Sequence, residues 1–295
     1  MSNIIEIKNL SKDYGNGKGI FNVNFSVKKG EVFGFLGPNG AGKTTTIRNL
    51  MGFVIPDHGS CTINNMDCYK DAAKIQESLG YLAGEIAFLD DLTGKQMLEF
   101  IASMKGIKDK TRMYELIELF ELDPKGKIKK MSKGMKQKIG IICAFMNNPD
   151  IIILDEPTSG LDPLMQNRFV DLILEEKQKG KTIFMSSHIF EEIERTCDKT
   201  AIIKDGKIVA IEDIKSLKEK KRKSYIITFN STESADSFLN EGLDIIDRYK
   251  DKITVSVKND INILLKKLVN YDIKDIDIKL QSLEEIFLHF YGGEK

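Results

Sequence analysis

Neither sign of charge dominates this chain: 44 lysines and arginines stand against 44 aspartates and glutamates over 295 residues. No global field therefore recruits a polyanion, and a nucleic-acid partner is not expected. Cysteine is scarce. Cys61, Cys68, Cys143 and Cys197 are scattered, with no CxxC pair and no histidine at metal-ligand spacing, so a disulfide framework or zinc site is not expected. Free cysteines of this kind behave as small buried hydrophobes. Long hydrophobic runs are missing too. The longest, residues 139–146, is interrupted by Gly140 and falls far short of the roughly 20 residues that span a bilayer. Residues 1–10 alternate polar and apolar and lack an apolar signal core, so the chain is expected to start and stay in the cytoplasm.

A length of 295 residues predicts two domains at roughly 100 to 200 residues each. Phe21, Val23, Phe25 and Val27 alternate with polar residues, and Ile5 and Ile7 begin a similar pattern, which predicts an antiparallel pair of strands. An apolar strand over 31–36 runs into a glycine-rich turn and then a helix with Ile47, Leu50 and Met51 inward. Helical periodicity follows, with Met97, Ile101 and Met104 on one helix and Met113, Leu116, Ile117 and Phe120 on another. A third helix follows Ser132, so a helical insertion is expected over about 85–147. Residues 151–154 are apolar on both faces, as in a covered parallel strand. A further strand is expected at 182–186 and a hairpin across Asp205-Gly206.

Residues 1–214 thus read as one α/β domain. The run 215–223 holds six basic residues and one glutamate and is expected to be a linker or solvated helix end, with contact to lipid headgroups or a partner as the other reading. Beyond it, 224–295 follow the order β-α-β-β-α-β, a small α+β ferredoxin-like unit, closed by a helix carrying Leu283, Ile286, Phe287 and Phe290. No catalytic constellation stands out there. Recognition, dimer contact or a structural appendage all fit it.

The chemistry lies in the first domain. Gly37-Pro38-Asn39-Gly40-Ala41-Gly42-Lys43-Thr44 fits the phosphate-loop pattern G-x-x-x-x-G-K-[ST], between a strand and a helix as that motif requires. Its glycines let backbone N–H groups turn inward onto phosphate oxygens, helped by the positive end of the next helix. Lys43 is expected to reach the β and γ phosphates, Thr44 to ligate Mg2+, and Thr45 to join the same cradle. Asp155-Glu156 stands at the carboxyl end of its strand, the edge where open α/β sheets hold ligands. Asp155 is expected to hold the metal and Glu156 to orient and deprotonate the attacking water. Positioning and charge neutralisation are the main tasks in phosphoryl transfer. No Asn-Lys-x-Asp segment is present, which excludes a GTPase of the usual guanine-reading kind.

Met131-Ser132-Lys133-Gly134-Met135-Lys136-Gln137 resembles the LSxGxxQ form of the ABC signature, Ser159-Gly160-Leu161-Asp162 resembles the D-loop, and His188 after Ser186-Ser187 resembles the switch histidine. Six ordered features across residues 14–188 resemble the ATPase subunits of ABC transporters. The resemblance implies a P-loop NTPase fold with an N-terminal antiparallel β subdomain and a helical insertion. It implies ATP and Mg2+ as ligands, a second ATP-binding subunit, identical or paralogous, and a transmembrane permease on a separate chain at the cytoplasmic face of the membrane. Tyr14 then stacks on adenine, Ser132 and Gly134 meet the γ phosphate held by the other subunit, Asp162 lies at the dimer interface, and His188 senses the γ phosphate. One departure stands out. Where the family carries glutamine, Gly84 occupies the position, with Glu85 next to it; either Glu85 substitutes at the metal or coupling is weaker.

The single cassette, the signature variant and the closing segment Ser282-Leu283-Glu284-Glu285-Ile286-Phe287 resemble the drug, bacteriocin and peptide-antibiotic exporter branch. Two other readings compete with it. A soluble ABC-type protein of translation or DNA maintenance typically has two cassettes or a long coiled coil, and here there is one phosphate loop and no sustained heptad run. A non-hydrolysing regulatory cassette is suggested by the missing glutamine and opposed by Lys43, Asp155, Glu156 and His188.

Overall fold

The computed structural model describes residues 2–220, 223–257 and 261–280. They fall into two compact units, Met1–Ile214 and Lys215–Lys295.

In the first unit, Ile5 and Ile7 of β1 (Asn3–Asp13) and Val23, Phe25 and Val27 of β2 (Gly19–Lys28) are buried, and the strands pair antiparallel. Every residue of β3 (Val32–Leu36) is buried, as a strand covered on both faces requires. It leads through the glycine-rich loop into α1 (Lys43–Leu50). β4 (His58–Ile63) then pairs with β1, and the two-residue β5 (Met66–Asp67) completes an antiparallel sheet in the order β2-β1-β4-β5.

After α2 (Ala72–Ser78) and β6 (Leu79–Leu82) come the three helices α3 (Gly94–Met104), α4 (Thr111–Leu119) and α5 (Lys133–Phe145). The chain then alternates through β7 (Ile151–Asp155), α6 (Pro163–Gln178), β8 (Thr182–Ser187), α7 (Phe190–Thr196), β9 (Lys199–Lys204) and β10 (Lys207–Asp213). The main sheet has the order β10-β9-β3-β8-β7-β6. It is parallel from β9 to β6, with β10 antiparallel at its edge. At the β9–β10 turn both Asp205 and Gly206 have positive φ, 48° and 76°, the geometry that a two-residue hairpin needs.

The two sheets meet through aromatic rings. Phe25 of β2 stacks on Phe33 of β3 at 5.2 Å and on Phe184 of β8 at 5.6 Å between centroids. This packing holds the N-terminal sheet against the strand that carries the phosphate loop.

One expectation is corrected here. On α3 the buried stripe is Met97, Leu98 and Ala102, whereas Met104 is 71% exposed, because it sits in the last turn, past the contact with the rest of the insertion. The basic run, expected to be a linker or solvated helix end, begins in a helix, α8 (Ile214–Lys220).

The second unit contains β11 (Lys223–Phe229), α9 (Thr232–Phe238), β12 (Asp244–Tyr249), β13 (Lys252–Val257), α10 (Ile261–Leu268) and β14 (Ile273–Leu280). All strand pairs are antiparallel and the order is β12-β13-β11-β14, the split βαβ arrangement. Its own core gathers Ile227, Phe229, Phe238, Val255 and Leu264. On α10 only Leu264 and Leu268, one turn apart, are buried, and Ile261 and Leu265 remain exposed. The closing helix expected around Leu283, Ile286, Phe287 and Phe290 lies outside the described residues.

Among the described residues no helix is long and apolar enough to cross a membrane, and no group of three or more metal-ligating side chains occurs. All four cysteines are free.

Candidate nucleotide site

The loop between β3 and α1 exists in this form because side chains are absent from it. A Cβ on Gly37 would lie 2.5 Å from the Ile203 carbonyl oxygen. Gly42 has a φ of 109°, a conformation open to glycine. Gly42 is also the N-cap of α1 and offers no side-chain cap, so the first N–H groups of the helix stay free for an anion. Lys43, 5% exposed, donates to the carbonyls of Gly37 at 2.6 Å and Pro38 at 3.1 Å. Ala41 is buried under the loop and accepts from Gly206 N at 3.0 Å.

The loop borders a pocket of about 460 Å³ shared by Asn39, Gly40, Gly42, Lys43, Thr44 and Thr45, with Tyr14 and Glu156 also lining it. Tyr14 is 53% exposed. Its turn between β1 and β2 is closed by a hydrogen bond from its amide to the Lys18 carbonyl at 2.8 Å. An aromatic face therefore stands in the same pocket as the phosphate cradle.

β7 ends on Asp155, and Glu156, the next residue, lines this pocket. Asp155 is fully buried, and its Oδ1 accepts from the Ser186 hydroxyl at 2.6 Å. Burial pushes its carboxyl up from the ordinary range, with the Glu156 charge adding to that, against the Ser186 hydrogen bond, the Thr44 hydroxyl and the Lys43 charge. Its Oδ2 is buried without a partner. Glu156 follows in the left-handed region, φ 50°, held by its amide donating to the same Ser186 hydroxyl at 3.0 Å. Strained backbone of this kind costs about 1–3 kcal/mol and persists only where the surroundings over-determine it. The Glu156 carboxylate lies 2.9 Å from Lys43 Nζ and 2.6 Å from His188 Nδ1.

The surroundings of Asp155 fit a divalent cation. The orphaned Oδ2, the Thr44 hydroxyl that favours the charged form of the same carboxyl and the bare Gly84 mark a spot where oxygens gather. A Cβ on Gly84 would lie 2.8 Å from Asp155 Oδ2. Mg2+ takes few protein oxygens and keeps several waters, so a side-chain-free neighbour suits it. Glu85 is exposed, and among the described residues no hydrogen bond or ion pair joins it to this spot.

Ser132, Gly134 and Asp162 do not line the pocket. Ser132 is exposed and caps α5, its Oγ accepting from Met135 N at 3.2 Å. A Cβ on Gly134 would meet the Gly160 carbonyl at 2.6 Å, so the signature turn and the segment after Glu156 pack backbone to backbone. Asp162 caps α6, accepting from Met165 N at 3.0 Å just before Pro163.

Other residues brace the site and escaped the sequence reading in that role. Gln137 donates from Nε2 to the carbonyls of Glu156 at 3.2 Å and Pro157 at 2.8 Å. Lys133 Nζ reaches Ser159 Oγ at 2.8 Å. Ser186 joins Asp155 to Glu156, as above. Gln137 and Ser186 both stood within quoted motifs, and that proximity is the only signal that could have pointed to them.

Comparison with known proteins agrees with this geometry. Residues 20–159 match the family described as ABC transporter. The bacitracin transport ATP-binding protein BcrA of Bacillus licheniformis is 35% identical over 99% of each chain. A solved ATP binding subunit of an ABC transporter has a TM-score of 0.65 and 31% identity, covering 73% of this chain and 92% of that one. The dimeric post-hydrolysis state of the cassette MJ0796, bound to ADP and Pi, has a TM-score of 0.64 and 25% identity over 71% of this chain and 98% of its own. The chain belongs to the ABC transporter family, as an ATP-binding subunit that hydrolyses ATP.

Proposed function

We propose that this chain is the ATPase subunit of an exporter of drug, peptide or antibiotic-like cargo, working at the cytoplasmic face of the cell membrane against a permease on a separate chain. The observation that carries the mechanism is the Glu156 carboxylate held between Lys43 and His188 at 2.9 and 2.6 Å. The exporter reading is supported by likeness along the whole chain, second unit included, to a bacitracin transport protein.

ATP enters the pocket with its triphosphate in the loop of residues 37–45 and its base against Tyr14. Thr44 and Asp155 hold Mg2+, which supplies neutralisation of phosphate charge. Glu156 orients the attacking water and takes its proton, and His188 donates to the γ phosphate. Two cassettes enclose each nucleotide, one giving the loop and the other the Ser132-Gly134 turn. That arrangement is supported by the exposure of Ser132 and its absence from the pocket of its own chain. Closure on ATP followed by release on hydrolysis is the power stroke.

The stroke passes to the permease through the helical insertion. An apolar groove of about 300 Å³ supports this, lined by Phe53, Tyr81, Ala83, Phe88, Ile101 and Lys105 and next in sequence to Gly84.

Glu156→Gln keeps the shape and removes the base. Turnover is expected to fall by roughly 100-fold or more, while ATP binding persists and the Mg-ATP form accumulates as a dimer in size-exclusion chromatography with light scattering. Undiminished turnover would remove Glu156 from the base role.

A further inference from the structure

Glu192 is buried where no charge partner awaits it. It sits on α7, 6% exposed, and among the described residues no cation pairs with it. The nearby Arg195 is engaged elsewhere, with Asn167 Oδ1 at 2.7 Å. Two hydroxyls attend the carboxyl instead. Ser187 Oγ donates to Oε2 at 2.6 Å, and itself accepts from the Ile189 amide at 3.0 Å. Thr158 lines the same small pocket as Glu192, and its hydroxyl favours the charged form of the carboxyl. The other oxygen, Oε1, is buried without a hydrogen-bond partner. Burial pushes the group up to about 7, with the Glu156 charge adding to that and the Ser187 and Thr158 hydroxyls opposing it.

A carboxyl buried in this way is costly. If it served stability alone, an apolar side chain of similar volume would do as well or better. Its two attendants are informative. Thr158 stands two residues after Glu156, and Ser187 stands one residue before His188. The segments that carry these residues are the ones whose side chains meet at 2.6 Å. Glu156 is at a left-handed φ of 50° and has to be held there.

We infer that Glu192 is a positioning residue that ties the turn after β7 to the end of β8, and so fixes Glu156 and His188 at the distance that hydrolysis requires. It does not line the pocket of the phosphate loop. It acts through Thr158 on one side and Ser187 on the other. The inference rests on Glu156 and His188 acting as proposed above.

The test is steady-state ATPase kinetics and ATP calorimetry on the full chain. Glu192→Ala is expected to lower kcat by roughly 10- to 100-fold, the scale of a misplacement near 1 Å, with KM and ATP affinity changed less than about twofold. Glu192→Gln keeps an acceptor for Ser187 and is expected to recover most of the lost kcat. Thr158→Val and Ser187→Ala each remove one tie and keep Glu192. Each is expected to lower kcat at constant KM, and together they are expected to cost less than the product of their separate effects. If Glu192→Ala does not fold, this pair decides the matter. Full kcat in Glu192→Ala, or in both hydroxyl variants, overturns the inference. So does a loss of ATP affinity equal to the loss of kcat, which marks a structural role. Glu156→Gln, run in parallel, separates the two levels: a dead Glu156→Gln beside a fully active Glu192→Ala sinks the tie and leaves the base assignment standing.

Discussion

Gly84 stands at the position that the resemblance assigns to a glutamine, and its neighbour explains what a side chain would do there. An added Cβ would come within 2.8 Å of Asp155 Oδ2, closer than real Cβ contacts allow. The carboxyl has little freedom to retreat. Its other oxygen is pinned by Ser186 at 2.6 Å, and the same hydroxyl holds the Glu156 amide at 3.0 Å. Moving Asp155 therefore loosens the strained turn that carries the proposed base. Gly84→Ala is expected to raise the magnesium concentration for half-maximal ATPase by roughly tenfold, the usual cost of disturbing groups around a metal, while ATP binding without metal persists. A titration of ATPase rate against free magnesium measures it. An unchanged midpoint would take Asp155 Oδ2 out of the metal site. By the same geometry, glutamine at this position is expected to harm this site rather than improve it.

At the scale of elements, what could be read from the sequence was what lies close together in it. The phosphate loop, with β3 before it and α1 after it, is one contiguous stretch. Asp155-Glu156 ends an all-apolar strand, and the Asp205-Gly206 turn declares its hairpin. Contacts between distant segments leave no such trace. Glu192 sits among Glu191, Glu194 and Arg195, a run that reads as a solvated helix, and only the packing of α7 buries one acid of the group. β4 shows too short an alternation, with two buried residues in six, to be recognised without its partner β1. On α3 the periodicity was visible, but the stripe ends before the last turn: Met97, Leu98 and Ala102 are buried, whereas Met104, on the same face as Met97, is exposed. Ile101, beside that stripe, lines the apolar groove of the proposed lever. Ile101→Glu puts a charge into that groove without touching the nucleotide pocket. It is expected to leave the ATPase of the isolated chain within about twofold and to reduce transport several-fold in vesicles containing the permease, because an unpaired buried charge at a contact is costly. Normal transport would refute the lever assignment.

For the molecule as a whole, two of the hydrophobic cores among the described residues, one in each unit, share no residue. The first joins the N-terminal sheet to the nucleotide-carrying sheet through Phe25, Phe33, Phe35 and Phe184. The second is centred on Phe229, Phe238 and Tyr271, whose rings lie 5.1 to 5.9 Å apart. All the residues proposed to handle ATP belong to the first unit. The solved structure of an ATP binding subunit covers 73% of this chain, whereas BcrA covers 99%, so the second unit is part of what this chain shares with a full-length relative. Separate cores predict separable stabilities. Phe238 is fully buried, and Phe238→Ala removes a ring whose loss typically costs about 3–5 kcal/mol. Calorimetric unfolding of the full chain is expected to show the transition of the second unit shifted down in this variant. The transition of the first unit should keep its position and still rise when ATP is added, since a ligand stabilises only the unit that binds it. If a single transition falls in the variant and responds as a whole to ATP, the two cores unfold as one, and the second unit is an energetic part of the cassette.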